Sequence, residues 1–329
     1  MSAALEAKRT VELASVAEEP SVAGRRCLVL GAGGFLGGQL ASALCDRRAT
    51  VEGYCRSLPP SADARVRWTV AAFDDDRALA KALHDQELVF LLGPSSGDLA
   101  APDAAQRFAE HVAWTARLLD AARVAGVRTI VFASSGGAVY GAGAMLPTPE
   151  SSPAQPISFY GLNRVAIECH LELYRRLYGL DYRVLRIANC YGPGQSPLRA
   201  RGFVAVALQR AMSGRPIEIW GSSAIARDFI YVDDVVRALV HVAGFDGQQR
   251  IFNVGSGVAR TLGEVIGDIA RVLGMSDVAV IAMPPRLVDV PVSVLDTTRI
   301  RALTRWRERV CWEDGLAHTA EWLRAAYPP

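Results

Sequence analysis

Cys27-Leu28-Val29-Leu30-Gly31-Ala32-Gly33-Gly34-Phe35-Leu36-Gly37-Gly38 is a short apolar run that breaks at once into a glycine-rich turn, after which the apolar spacing is helical through Leu44. In order, that is strand, tight turn, helix. Gly31, Gly34 and Gly37 have GxxGxxG spacing, with Gly33, Phe35 and Leu36 in and just past the turn. Glycines there permit a sharp turn and close backbone approach, and the helix N-terminus behind them presents unbonded N–H groups to an anion. The stretch therefore predicts a dinucleotide pyrophosphate site at the start of a doubly wound α/β sheet.

The next candidate strand, Val51-Glu52-Gly53-Tyr54-Cys55-Arg56, leads outward to the adenosine end of that site. An Asp or Glu at its end would bond the 2′-hydroxyl of NAD. This chain has Cys55 followed by Arg56. Without the carboxylate there is no repulsion toward a 2′-phosphate, and Arg56 can pair with one. The expected cofactor is NAD or NADP, with the balance tilted to NADP; the alternative leaves Arg56 in solvent and gives the ribose to Glu52 or the backbone.

Bulk composition narrows the class. The chain has 329 residues, half of them hydrophobic, enough for a large globular core. Its 36 Lys and Arg against 34 Asp and Glu give a net charge of +2, which predicts neither a nucleic-acid nor an anionic-membrane partner. Arg299, Arg301, Arg305, Arg307 and Arg309 read as a solvated face. Six cysteines without CxxC spacing predict reduced thiols in a cytoplasmic protein and no metal site. Residues 1–23 lack a continuous apolar core and read as a flexible extension rather than a signal or anchor, and no later run has the roughly 20 apolar residues of a membrane span.

The second informative stretch is Ser158-Phe159-Tyr160-Gly161-Leu162-Asn163-Arg164-Val165-Ala166-Ile167-Glu168. On a helix, Tyr160 and Arg164 share a face, so both can point into one cleft. A fixed cation beside a phenol favours phenolate and makes it a proton-transfer group nearer neutral pH. The bland alternative is a surface Arg behind a core Tyr. Upstream, a buried strand from Val127 to Ala133 leads into Ser134-Ser135-Gly136-Gly137-Ala138-Val139-Tyr140-Gly141, two serines in a glycine-rich turn.

These stretches together resemble the extended branch of the short-chain dehydrogenase family, the nucleotide-sugar epimerases and dehydratases. The resemblance runs from about Gly24 to Trp322. It implies a Rossmann-type parallel sheet over residues 24–188, with a return near 227–253, and a smaller C-terminal α/β substrate domain mainly over 189–329. It implies Tyr160 as the proton-transfer residue, Arg164 in the place of the family's Lys, and Ser135 on the reacting sugar oxygen with Ser134 in reserve. By the same resemblance Asn189, Arg227, Arg286 and Asp289 meet a UDP- or dTDP-sugar, with the arginines on its diphosphate. Departures collect on the cofactor side: Ala71-Ala72 for Gly-Asp, Leu91 for a His, and His111 for an Asn. The family's subunits pair through two helices each, here within Ala104–Ala125 and Ser158–Tyr178, implying a homodimer. The leading expectation is a nucleotide-sugar 4-epimerase; the alternatives are an NADPH-dependent 4-ketoreductase and a non-catalytic sugar-nucleotide-binding homologue.

Overall fold

The computed structural model describes residues 22–93, 103–199, 202–286 and 288–328. Most of the predicted N-terminal extension, residues 1–21, lies outside them. The central sheet is built from β1 (Arg26–Leu30), β2 (Thr50–Cys55), β3 (Arg67–Val70), β4 (Leu88–Leu91), β5 (Thr129–Ser135) and β6 (Asp181–Ile187). After β7 (Asn189–Tyr191), β8 (Ile217–Trp220) and β9 (Ala226–Tyr231), which lie outside it, β10 (Ile251–Val254) completes the sheet. Its seven strands are all parallel, in the order β10-β6-β5-β4-β1-β2-β3. The order reverses between β1 and β4, so the carboxyl ends of those strands open onto the crevice in which doubly wound sheets bind ligands.

Sheets covered on both faces need strands that are apolar throughout, and β1 shows how that works. Cys27 and Val29 enter one buried layer, with Leu40, Leu44 and Leu239, while Leu28 and Leu30 enter the other, with Leu118, Ile167 and Leu171. The period-two alternation of a strand thus feeds two cores from one run of residues.

Helix Phe159–Tyr178 has defined ends. Ser158 Oγ accepts from Gly161 N at 3.1 Å, and Gly179 closes the helix at φ 73°, a left-handed conformation. A second, smaller sheet is centred on β9. Strand β11 (Ala259–Thr261) pairs with it antiparallel, while β7 and β13 (Val292–Ser293) pair with it parallel. A separate two-stranded pair joins β8 to β12 (Val280–Met283).

Two sequence expectations need correction. Strand β5 does not stop at Ala133: Ser134 and Ser135 stay in it, in register with Arg186 and Ile187 of β6, so both serines sit on a rigid element rather than in a turn. The C-terminal arginines are not one solvated face. Arg299 donates to Ile251 O at 3.0 Å and Arg301 to Ser256 O at 3.2 Å, while Arg305, Arg307 and Arg309 are exposed. No helix among the described residues is long and apolar enough to cross a membrane.

Candidate active site

The glycine turn is built by close contact. Gly31 has φ 92°, and its N–H donates to Tyr54 O of β2 at 3.0 Å. A Cβ at Gly37 would lie 2.2 Å from Gly31 O and 2.8 Å from Ala32 Cα, so only glycine lets helix Phe35–Asp46 settle against the turn. A Cβ at Gly33 would sit 3.0 Å from Cys55 Cβ, and one at Gly34 would sit 3.3 Å from Gly31 O. The helix has no side-chain cap at Gly34, which leaves its first-turn N–H groups for an anion. This is a cradle that side chains would fill, and a dinucleotide pyrophosphate fits it.

At the adenosine end Cys55 is buried against Gly33 and Arg56 is exposed. Glu52 is not available to a ribose. It is buried, accepts from Thr69 Oγ1 at 2.7 Å and is paired with Arg67 of β3.

Next to the turn lies a cleft of about 380 Å³ that Phe35, Leu36, Ser134, Ser135, Tyr160, Arg164 and Asn189 all line. Tyr160 reaches it because its neighbour is Gly161, where a Cβ would lie 2.3 Å from Ala138 O. Arg164 is buried, donates to Ala133 O at 3.4 Å and holds its guanidinium 4.8 Å from the centre of the Tyr160 ring. That geometry is a cation facing a phenol in a partly desolvated site.

The two serines differ. Ser134 Oγ donates to Glu168 Oε1 at 2.6 Å. Ser135, one residue on, makes no hydrogen bond through its hydroxyl to any described residue and faces the cleft. His111 lies behind Arg164, its Nδ1 2.9 Å from Asn163 Nδ2. The amide is a donor, so Nδ1 accepts and the ring is the neutral tautomer. Burial, and then the Arg164 charge, hold its pKa below the ordinary value, which agrees with that assignment.

Arg227, Asp289 and Arg286 form a second group outside the cleft lining. Arg227 donates to Ala226 O at 2.9 Å and approaches Asp289 only to 3.9 Å, while burial lowers its pKa. Arg286 stacks 4.0 Å from the Trp220 ring centre, and its carbonyl accepts from Asp289 N at 3.1 Å. Asn189 bridges the two groups, since its Nδ2 donates to the carbonyl of Asp228, the residue after Arg227, at 3.1 Å.

Sequence reasoning missed how two further residues shape these groups. Gln39 of the glycine-turn helix donates to Pro193 O at 2.6 Å, tying that helix to the loop after β7. Asp228 is a buried hub that accepts from Ser256 N at 2.8 Å, Ser256 Oγ at 2.7 Å and Gly257 N at 3.1 Å, against a burial cost that raises its pKa. Neither carried a local signal, because a Gln on a helix and an Asp in a strand look the same whether their partners are water or chain.

The model of the NAD dependent epimerase/dehydratase family matches residues 27–255. UDP-glucose 4-epimerase of Mycolicibacterium smegmatis is 37% identical over 313 residues, covering 91% of this chain and 98% of that protein. Among solved structures, UDP-glucose 4-epimerase of Thermotoga maritima with UDP-glucose superposes with a TM-score of 0.85 at 31% identity, covering 92% of this chain and 99% of that one. UDP-glucose 4-epimerase of Thermus thermophilus in complex with NAD does so with a TM-score of 0.82 at 29% identity, again over 92% of this chain and 99% of that one.

Proposed function

We propose that this chain, which belongs to the NAD dependent epimerase/dehydratase family of short-chain dehydrogenase-type enzymes, inverts C4 of a UDP- or dTDP-linked sugar. The observation that carries the reading is the convergence of Tyr160, Arg164 and Ser135 with the glycine-turn residues Phe35 and Leu36 on one cleft. The nicotinamide dinucleotide, when bound along Gly31, Gly33, Gly34 and Gly37, supplies a hydride acceptor and donor. Tyr160 takes the C4 hydroxyl proton and returns it. Ser135, with its hydroxyl uncommitted, holds the C4 oxygen, and Arg164 keeps a positive field on the phenol. Burial raises the pKa of Cys190 and Tyr191, which also line the cleft, and the Tyr191 hydroxyl donates to Trp312 O at 3.4 Å; both support the assignment of Tyr160 as the proton-transfer group. One acid/base residue is what alcohol–ketone interconversion at a single carbon requires. Asn189, Arg227, Arg286 and Asp289 hold the sugar diphosphate and its nucleoside.

A second reading, an NADPH-dependent 4-ketoreductase, draws on exposed Arg56 beside buried Cys55. The dinucleotide released on denaturing the purified protein separates the two: retained NAD favours the epimerase, exchangeable NADPH the reductase. We further propose a cofactor domain over residues 24–188 with a return near 227–253, a substrate domain mainly over 189–329, and a reducing, cytoplasmic setting for six free cysteines. The proposed homodimer pairs helices Ala104–Val124 and Phe159–Tyr178, where Val124, Leu173, Leu177 and Tyr178 are exposed.

The deciding experiment assays native protein, Tyr160→Phe and Arg164→Lys over UDP- and dTDP-sugars with both cofactors. Tyr160→Phe is expected to lose turnover and keep sugar-nucleotide binding, and Arg164→Lys to keep or raise turnover. A fully active Tyr160→Phe excludes the mechanism. Turnover confined to Arg164→Lys points to a protein that binds the sugar nucleotide without acting on it.

A further inference from the structure

Tyr160, Arg164 and Glu168 follow one another at four-residue intervals on one face of helix Phe159–Tyr178, running from the half-buried cleft edge into the buried interior. Two of the three are opposite charges at i, i+4, the spacing at which a Glu and an Arg on one helix pair directly. A salt bridge between Glu168 and Arg164 would draw the cation away from Tyr160 and set a carboxylate near the phenol.

The structure does something else with Glu168. Arg186 of β6 takes it in a two-pronged pair, Nη2 to Oε2 at 2.6 Å and Nε to both oxygens at 3.2 Å, while Ser134 Oγ donates to Oε1 at 2.6 Å. Ser134, Glu168 and Arg186 are all buried, and Ser134 and Arg186 are register partners on adjacent strands. Arg186 is itself braced, its guanidinium 4.8 Å from the ring centre of Tyr140, whose hydroxyl donates to Asn253 Oδ1 at 2.7 Å. Arg164 donates to Ala133 O at 3.4 Å, with its guanidinium 4.8 Å from the Tyr160 ring centre and 5.5 Å from that of Phe132.

We propose that Arg186 is a positioning residue for catalysis: by holding Glu168 with Ser134, it keeps the carboxylate off Arg164, whose guanidinium faces the Tyr160 ring. This rests on Tyr160 being the proton-transfer group. A merely structural ion pair would stabilise the fold and leave the phenol's acidity alone, and that is the difference the test reads.

The charged and titratable groups facing the site are Arg164 and Glu168 from its own helix, Arg186 and Tyr182 from β6, His111 from helix Ala104–Val124, Tyr140 beyond β5, and Cys190 and Tyr191 from β7. The test therefore reads Tyr160 itself, as the tyrosinate ultraviolet difference titration of each protein minus the same protein carrying Tyr160→Phe, alongside the pH profile of kcat. Arg186→Met is expected to move the Tyr160 titration and the acid limb of kcat upward by about one pH unit or more. Arg186→Lys, which keeps the charge and loses the fork, should move both the same way by less. Adding Glu168→Gln to Arg186→Met removes the competing carboxylate and should restore the native titration. An unmoved phenol in Arg186→Lys or Arg186→Met overturns the proposal, and so does a shift that Glu168→Gln fails to reverse. A native protein with no Tyr160 signal within the accessible pH range strikes instead at the reading of Tyr160.

Discussion

The cleft around Tyr160 and the arginine group at β9 are fixed to different degrees. Behind the cleft Glu168 and Arg186 are paired at 2.6 Å, with Ser134 closing the set at 2.6 Å. At β9 the contacts are long or local. Arg227 meets Asp289 at 3.9 Å and otherwise bonds the carbonyls of Ala226 at 2.9 Å and Pro291 at 3.4 Å, and Arg286 rests on the face of Trp220. Under the proposed function, the first arrangement holds the Tyr160 side of the cleft in place before any ligand arrives. The second holds cationic donors in reserve, which an anion such as a diphosphate can claim without breaking a strong ion pair. If the proposed sites are right, stability is expected to depend chiefly on the first region and its flanking glycine turn, and affinity on the second.

That division can be broken in four places. The largest expected effect is Gly37→Ala, whose Cβ meets backbone at 2.2 Å and 2.8 Å with no flexible side chain to yield. It should lower stability by roughly 3 kcal/mol and abolish dinucleotide binding, read by denaturant unfolding and by cofactor titration. Next, Arg227→Ala should leave the thermal midpoint close to native and raise the KM for a UDP-sugar roughly 10- to 100-fold, the worth of a charge-assisted hydrogen bond. A large loss of stability instead would mean that the arginine group is structural.

At the cofactor's far end, Arg56→Ala should weaken NADP about tenfold and leave NAD unchanged. Equal titrations before and after the substitution would remove Arg56 from the cofactor site. The smallest effect tests whether surface charge pairs matter at all. Hydrogen bonds from Arg175 hold the Glu172 carboxyl at about 2, below its ordinary 4.5. A depressed carboxylate stabilises the fold above its unfolded pKa and loses that contribution as pH falls through the folded one. Because the group is partly exposed and its partners are surface arginines, Glu172→Gln should cost less than about 1 kcal/mol at neutral pH, and the gap should close between about pH 4.5 and about 2 in unfolding curves.

The parallel sheet was legible because β1 and β4 carry continuous apolar runs and the glycines mark the turn between strand and helix. Helical spacing placed Tyr160 and Arg164 on one face, and only the family resemblance gave the pair its expected roles. The ion pair behind it was not, since Glu168 and Arg186 are 18 residues apart and in sequence look like two more solvated charges. Only the packing of helix Phe159–Tyr178 on β5 and β6 shows them buried. The extent of β5 was misjudged for a related reason: serine and glycine favour turns locally, but parallel pairing with Arg186 and Ile187 supplies hydrogen bonds that override the local preference. Arg299 and Arg301 were misread because side-chain contacts to distant carbonyls leave no trace in charge spacing.

The hydrogen bond from Gln39 to Pro193 O spans 154 positions of chain and joins the helix that follows the glycine turn to the loop leaving β7. Its consequence is thermodynamic. Under the proposed function, a dinucleotide that moved this helix would move the loop just past Asn189 as well, and the two ligands would then share one coupling free energy. Linkage makes that coupling reciprocal: whatever factor the dinucleotide imposes on sugar-nucleotide affinity, the sugar nucleotide imposes on retention of the dinucleotide.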